Sequence, residues 1–460
     1  MTDALNLPNW AVLSVTESDD TIIYAEYLIQ LNCCPKCGSE SLYKHGTKSV
    51  IYRDIPRHMK PTVINAELKR YRCKSCKATF LQEVTGIYPD TRMTERCVKQ
   101  IQNICLDYTF SDTARMMGCD SKTIRTITND FIEIKNKSHN PELSGWIGLD
   151  ETEIDGNFRF VVTDIIHKRP IEMLESRDKD TVSRFLWKYR DKDIQGFSID
   201  MWRPYKTLIN LIFPKAIIVI DKFHVLKMAN KALDDIRIKL ARNQPAGVGK
   251  LWMRKKYQLR TRRQNLNEQE LFNLDMWLEN EPELAKAYYI KEAIFAIYDI
   301  KTRDEAEPLF DEWLNLVPPE FRKSKKDFLP LYRAIKNWRK DILSYFDHRV
   351  TNAYTEALNG VAKTYNHSGR GYSFEVLRAR VLFSRKHKVL SNDEIYYSRT
   401  SGADLRVSQL KNGVYVCEFC SEVYEPTNKS LKRINQAPNE VQYLCPEHGT
   451  ELRFIKREYE

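Results

Sequence analysis

Residues 145–176 read GWIGLDETEIDGNFRFVVTDIIHKRPIEMLES. Short apolar runs rich in β-branched and aromatic residues predict three consecutive strands, over 146–154, 158–167 and 170–176, arranged as a meander. Outward from there, 179–189 reads as a helix, 196–200 as a fourth strand and 203–213 as a second helix. Residues 216–220 form a fifth, β-branched strand, and a helix follows from Phe223. Asp150 closes an apolar run in the first strand, and Asp200 closes the one in the fourth. One carboxylate after a strand means little, since Asp is common where strands end in turns.

Three antiparallel strands followed by helix, strand, helix, strand is the order of an α/β, RNase H-like core. In such open sheets the active groups collect beyond the strand ends. The first and fourth strands are neighbours in that order, which brings Asp150 and Asp200 within reach of shared ions. A third carboxylate, Glu356, lies in TNAYTEALNG, a segment that reads as a helix; spacing alone leaves Glu375 and Asp347 as alternatives. Three such carboxylates make a site for two divalent ions, Mg²⁺ or Mn²⁺, the usual apparatus for cutting and joining nucleic-acid backbones. Glu151 falls on the opposite face of a regular strand and is not counted as a ligand. The long interval before Glu356 holds a helical stretch, about 225–345, read as an insertion in which Trp252, Trp277, Trp313 and Trp338 are core anchors. Within DKFH, His224 follows Asp221 by three positions at a strand-to-helix junction, where it can donate to a phosphate oxygen or orient a metal ligand.

Composition sets the frame. At 460 residues the chain predicts two to four domains. A formal charge of +11 leans toward polyanionic partners. The charge is clustered: residues 41–80 hold ten Lys/Arg against two Asp/Glu, and residues 239–263 hold nine against none. No apolar run reaches the ~18 residues of a membrane span, and MTDALNLPNW lacks the basic and apolar regions of an export signal. The expectation is a cytoplasmic, nucleoid-associated protein, in which eleven cysteines suggest metal binding before disulfides.

Cys34-x-x-Cys37 and Cys73-x-x-Cys76 are two knuckles able to point four thiolates at one zinc ion, with strand-like pieces over 49–54 and 62–71 between them. Cys33 adjoins the first knuckle as a possible alternative to Cys34. Cys417-x-x-Cys420 and Cys445-x-x-His448 predict a second structural zinc site near the C-terminus. Cys97, Cys105 and Cys119 stand singly in helical segments and read as core thiols. In FSDTARMMGCDSKTIRTITNDF, Ala114, Gly118 and Ile124 fall where a helix-turn-helix needs a small residue, a positive-φ turn and an apolar anchor. Ser121 reads as the N-cap of the second helix, with Lys122, Thr123, Arg125 and Thr126 exposed near its start for DNA. Arg254, Lys255, Lys256, Arg262 and Arg263, in the basic run of the insertion, are further candidates for gripping DNA. The resulting organisation is a lead segment (1–30), a zinc ribbon (31–84), a helix-turn-helix (90–140), an RNase H-like catalytic domain with its insertion (145–390) and a C-terminal zinc module (410–460).

The segments GLDE, SIDMW, FPKAIIVIDKFHVLKMANKALDDIR and TNAYTEALNGVAKT, followed by GRGYSFEVLRARVLF, closely resemble the DDE transposases of the ISL-three insertion-sequence family. The resemblance spans about 31–390. It implies that Asp150, Asp200 and Glu356 form the acidic triad, with Asp221 and His224 as an auxiliary Asp-x-x-His motif. It also implies recognition of terminal inverted repeats in double-stranded DNA, Mg²⁺-dependent cleavage, joining to target DNA, and a dimer or larger synaptic complex. The second zinc module has no counterpart in that likeness. Two other readings stay open at this point: a catalytically silent transposase kept as a DNA-binding regulator, and an RNase H-like nuclease without a joining step.

Overall fold

The computed structural model describes residues 5–244, 247, 250, 252 and 256–385, together with the backbone of five short strands after residue 412. The chain divides into two compact units, 1–387 and 388–460. Of the second unit, the described parts are a three-stranded sheet built from Gly413–Val416, Val423–Tyr424 and Arg453–Lys456, and a strand pair, Lys432–Arg433 with Tyr443–Leu444. Cys417, Cys420, Cys445 and His448 lie outside the described residues.

The first unit opens with β1 (Trp10–Glu17), β2 (Thr21–Tyr27), β3 (Leu42–Arg57), β4 (Lys60–Cys73) and β5 (Thr79–Leu81). The order is β1-β2-β4-β3, with β5 on the other end of β4, and β2 runs parallel to β4. The segment set apart as a lead therefore contributes two strands to the sheet that carries the ribbon. Trp10, Ile23, Ala25 and Tyr27 share one core with Tyr52, Ile64 and Leu68. The β3–β4 hairpin is longer than its two predicted pieces because the pairing runs from Leu42–Cys73 down to Arg57–Lys60.

Three helices follow: α1 (Glu95–Ile104), α2 (Phe110–Met117) and α3 (Ser121–Ser138). Thr94 and Thr109 cap the first two through their hydroxyls. The cap of α3 is Asp120, whose carboxylate accepts from the Thr123 amide at 2.7 Å, and not the expected Ser121, which is the first helical residue. The carboxylate one position earlier has the non-helical backbone that an N-cap requires. Gly118 ends α2 with φ of +64°. Its hydrogen is also required by space, since a Cβ there would stand 2.4 Å from Pro61 Cβ in the hairpin. Buried Asp54 of β3 accepts hydrogen bonds from Thr94 and Arg96, locking hairpin and helices together.

The second sheet contains β6 (Gly145–Ile154), β7 (Asn157–Asp164), β8 (Arg169–Leu174), β9 (Ile194–Ile199) and β10 (Ile217–Ile220) in the order β10-β9-β6-β7-β8. The meander β6-β7-β8 is antiparallel, whereas β9 and β10 run parallel to β6 through the crossover helices α4 (Lys179–Trp187) and α5 (Arg203–Ile212). Both faces of β7 are covered at its centre, so Phe160, Val161 and Val162 are buried in succession. Phe160 and Val162 enter a core shared with α4, α5 and the following α6 (Lys222–Ala241). Val161 turns the other way, onto Leu358, Ala362, Leu377 and Val381. Each such large apolar side chain contributes about 1.5–3 kcal/mol when fully buried.

Between α6 and residue 349 the described helices are α7 (Lys256–Arg260), α8 (Glu268–Asn280), α9 (Pro282–Ile297), α10 (Arg303–Leu316), α11 (Leu329–Asn337) and α12 (Arg339–His348). Trp252, Trp313 and Trp338 are buried there, and Trp277 packs edge-on against Trp252 with ring centroids 5.1 Å apart. Two last helices, α13 (Ala353–Gly369) and α14 (Phe374–Phe383), return to the sheet. Val376 and Ala379 of α14 also complete the core of α1–α3. Buried Arg380 donates to the carbonyls of Cys105, Leu106 and Tyr108, so the last helix fastens the first helical group to the sheet. Among the described residues, no helix is long and apolar enough to cross a membrane.

Candidate active site

Three parallel strands deliver their carboxylates to one edge of the sheet. Asp150 sits in β6 opposite Val161, Asp200 follows β9 directly, and Asp221 follows β10 as the residue before α6. Hydrogen bonding of the Asp221 amide to the Ile199 carbonyl (3.2 Å) holds the last two strand ends together. His224, in the first turn of α6, places Nδ1 2.7 Å from Asp200 Oδ1, 3.5 Å from Asp221 Oδ2 and 4.0 Å from Glu356 Oε1. Glu356 arrives from the first turn of α13. His224 is thus the meeting point of two groups with ligand atoms within 4.8 Å of one another, Asp150–Asp200–His224 and Asp221–His224–Glu356. Asp347 is held elsewhere by Arg303, at 2.8 Å.

Burial, followed by the nearby Asp200 carboxylate, pushes Asp150 up to about 7. Burial and the Asp221 charge raise Glu356 as well. For His224, burial opposes protonation, but its close pairs with Asp200 and Asp221 outweigh it and carry the imidazole up to about 10. All three directions express the same shortage of positive charge among clustered carboxylates. Asp200 Oδ1 and Asp221 Oδ2 are buried without a hydrogen-bond partner, because His224 is close to both but aligned with neither. Oxygen ligands left in that condition suit a divalent cation.

Residues around the cluster that the sequence reading did not single out prove structurally important. Asn359, one helical turn beyond Glu356, donates to Asp150 Oδ2 at 2.7 Å, a bond spanning 209 positions. The other oxygen, Oδ1, accepts from the Glu151 amide at 2.8 Å. Fully buried Asn352 donates its backbone N–H to Asp221 Oδ1 (3.2 Å) and its amide to the Leu149 carbonyl (3.0 Å), tying the start of α13 to two strands. Gly148 makes room for this junction: a Cβ there would stand 2.3 Å from Thr355 Oγ1 and 2.5 Å from Asn352 Oδ1. The i, i+3 spacing of Glu356 and Asn359 was the available signal for Asn359. Glu151 is outside both ligand groups, bonded instead to Arg177 (2.5 Å) and Tyr205 (3.0 Å) at the side of the cleft beside them.

At the ribbon, Cys34, Cys37, Cys73 and Cys76 converge. The Cys34–Cys76 and Cys37–Cys73 sulfurs are each 3.6 Å apart. A disulfide needs about 2.05 Å, whereas thiolates about 2.3 Å from a tetrahedral zinc stand close to the observed spacing. Backbone N–H groups of Cys76 and Ser75 hold the Cys73 thiol down at about 6, whereas the Cys37 thiol, against the lowering effect of the Ser39 amide, is pushed up to about 12 by the crowded Cys76, Cys73 and Cys34 sulfurs. Cys33 is exposed and outside the cluster, while Cys97 and Cys105 are buried thiols.

Ser121, Lys122, Arg125 and Thr126 are exposed on α3, and half-buried Thr123 bonds to Asp120. The basic run of the insertion divides. Arg254 and Lys255 lie outside the described residues, and Lys256 is exposed. Arg262 forms a bidentate pair with Asp299 (3.1 and 2.8 Å), and Arg263 one with Asp275 (2.5 and 2.8 Å). These two arginines therefore tie the connection between α7 and α8 to α8 itself and to the turn after α9, a use that spacing in the sequence did not reveal.

A family model described as "Transposase" matches residues 147–381, which take in the second sheet, the acidic cluster and the insertion. A second, described as "zinc-finger of transposase IS204/IS1001/IS1096/IS1165", matches residues 30–76, the four-cysteine hairpin. Sheet, cluster and ribbon together define a transposase. The chain belongs to the ISL-three family of these proteins. It is similar to the transposase for insertion sequence element IS1001 of Bordetella parapertussis, at 21% identity over 362 residues, covering 76% of this chain and 87% of that protein. It is also similar to the transposase for insertion sequence element IS1557 of Mycobacterium tuberculosis (strain H37Rv), at 25% identity over 241 residues, covering 46% of this chain and 53% of the relative.

Proposed function

We propose that this transposase binds the terminal inverted repeats of an insertion sequence, cleaves the DNA at its ends and joins them to target DNA, using an RNase H-like catalytic domain over 145–390. The observation that carries this reading is the convergence of Asp150, Asp200 and Glu356 around His224 and Asp221 from neighbouring strands and a distant helix. Asp150, Asp200 and Glu356 would hold Mg²⁺ or Mn²⁺, which when bound activates water or a DNA 3′-hydroxyl and stabilises the leaving 3′-oxygen. Asn359 fixes the orientation of Asp150, and Asn352 fixes Asp221 against the start of α13. His224, in the first turn of α6 and 2.7 Å from Asp200, offers a ring nitrogen to a phosphate oxygen. The four-cysteine hairpin, stapled by structural zinc, and α2–α3 with Lys122 and Arg125 recognise the repeats; Lys256 adds a cation from the insertion. The residues after 410 supply a second zinc module. Both ends must be processed together, so the working form is a dimer or a larger synaptic complex.

The test uses the DNA flanking the gene as the source of the repeats. Asp200→Ala is expected to abolish Mg²⁺-dependent cleavage while repeat binding is kept; cleavage at the wild-type rate sinks the assignment. A strand-transfer assay separates transposition from simple nuclease action, which yields cut ends and no joined product.

A further inference from the structure

The acidic cluster opens into a small cleft of about 220 Å³ lined by Asp150, Asp200, His224, Trp202 and Tyr205. Trp202 and Tyr205 also form a wall of a second, larger cleft of about 710 Å³, which runs beside the β6–β7 turn and the start of α4. None of the chemistry above uses this second cavity. We propose that it seats the base of a nucleotide next to the scissile phosphate, stacked on Trp202. The inference rests on the reading of the acidic cluster as the cleavage site.

Three features point to a base. The first is position: the cavity shares the Trp202–Tyr205 wall with the cluster, so it adjoins any phosphate held there. The second is charge. The cleft is lined by Arg159, Arg177 and Lys179 against Glu175 and Asp178, and Arg177 is already paired with Glu151 outside it. Two cations then face two carboxylates, a balance suited to an uncharged group and not to another phosphate. The third is surface chemistry. Trp202 is 53% exposed at the mouth and Phe158 is 38% exposed within, with the Arg177 guanidinium 3.6 Å above the Phe158 ring. Exposed aromatic faces bind bases by stacking with little regard to sequence, and a stacked arginine extends the same planar platform. The cavity volume lies within the range of pockets that enclose small planar ligands. Trp202 follows Asp200 by two positions, and its amide donates to the Asp200 carbonyl at 2.7 Å, so base seat and carboxylate are positioned by one turn.

Two measurements test this. In single-turnover cleavage of repeat-ended duplexes, Trp202→Ala is expected to be slower by roughly 5- to 100-fold, the worth of one stacked base, with repeat binding unchanged and Trp202→Phe largely restored. An abasic site at the seated nucleotide should slow the wild-type protein to a similar degree and Trp202→Ala hardly further, because both changes remove one contact. A wild-type rate in Trp202→Ala, or penalties that add at every flanking position, overturns the proposal. The second measurement needs no cleavage. 2-Aminopurine at the seated nucleotide is expected to change its emission on binding Asp200→Asn protein, and to lose that change in Asp200→Asn/Trp202→Ala. Identical emission with both proteins at every position overturns the base seat even if cleavage proceeds; failure of the wild-type protein to cut counts against the cleavage reading alone.

Discussion

The chain carries two clusters of metal-ligating side chains built on opposite plans. The cysteine cluster is local: its members sit at the base of one hairpin, and the Cys34–Cys76 contact spans 42 positions. The acidic cluster is assembled from the middle of β6, the ends of β9 and β10 and the first turns of two helices, and the Asn359–Asp150 bond that closes it spans 209. A local cluster needs only its hairpin and its ion to form, because loop-closure cost grows slowly with length. The acidic cluster cannot form before the sheet, the insertion and α13 have packed. The first behaves as a staple, whereas the second depends on the whole unit.

That contrast can be broken or sharpened by experiment. The largest effect belongs to the acidic cluster: Glu356→Gln should reduce cleavage by on the order of 10³-fold or more, with circular dichroism and thermal midpoint close to wild type. Zinc removal tests the other side. A strong chelator at neutral pH is expected to unfold the hairpin and abolish specific repeat binding, while hydrogen exchange over 145–383 stays protected; global unfolding contradicts the local plan. Next comes Asn359→Ala, where losing the oriented hydrogen bond to the Asp150 carboxylate should lower cleavage by roughly 10- to 100-fold if that carboxylate holds the metal, with repeat binding intact in a gel-shift assay. Gly148→Ala forces a methyl group into Thr355 and Asn352. It is expected to cost about 1–3 kcal/mol of stability in denaturant titration, and more in cleavage than that loss explains, since the start of α13 must shift. The smallest effect is expected from Arg263→Ala: its pair with Asp275 is partly exposed on both sides, and such pairs are worth about 0–1 kcal/mol. A tenfold loss of DNA affinity in that variant would instead restore Arg263 to the DNA surface.

A comparison of expectation and structure shows where legibility stops. The strand carrying Asp150 and the strands that lead into Asp200 and Asp221 could be read because a buried sheet needs apolar, β-branched runs, and the order of elements then made neighbours of β6 and β9. The turn at Gly118 was legible because positive φ narrows the choice of residue. The cap at Asp120 was misplaced by one residue, since Asp120 and Ser121 are both good caps and only backbone dihedrals separate them. Arg262 and Arg263 looked like a DNA surface because a run of like charge carries no record of which acidic residues will fold against it. Strand β1 was missed because most of its residues are exposed, and β2, although its buried positions alternate, gains its place only by running parallel to the distant β4.

By itself the sequence determined the kinds of chemistry present: four thiolates at knuckle spacing, carboxylates on and just after strands, and a helix carrying Glu356. Those are properties of neighbouring residues, fixed by alternation, turn geometry and ligand type. Tertiary structure alone decided that Asn359 holds Asp150, that Asn352 wedges α13 against Asp221, and that Arg380, on the helix packed against the second sheet, fastens α1–α3 to it. Each of those contacts joins residues more than a hundred positions apart. A buried polar group in a packed core must find its partner wherever the fold brings one, and sequence distance places no constraint on where that is.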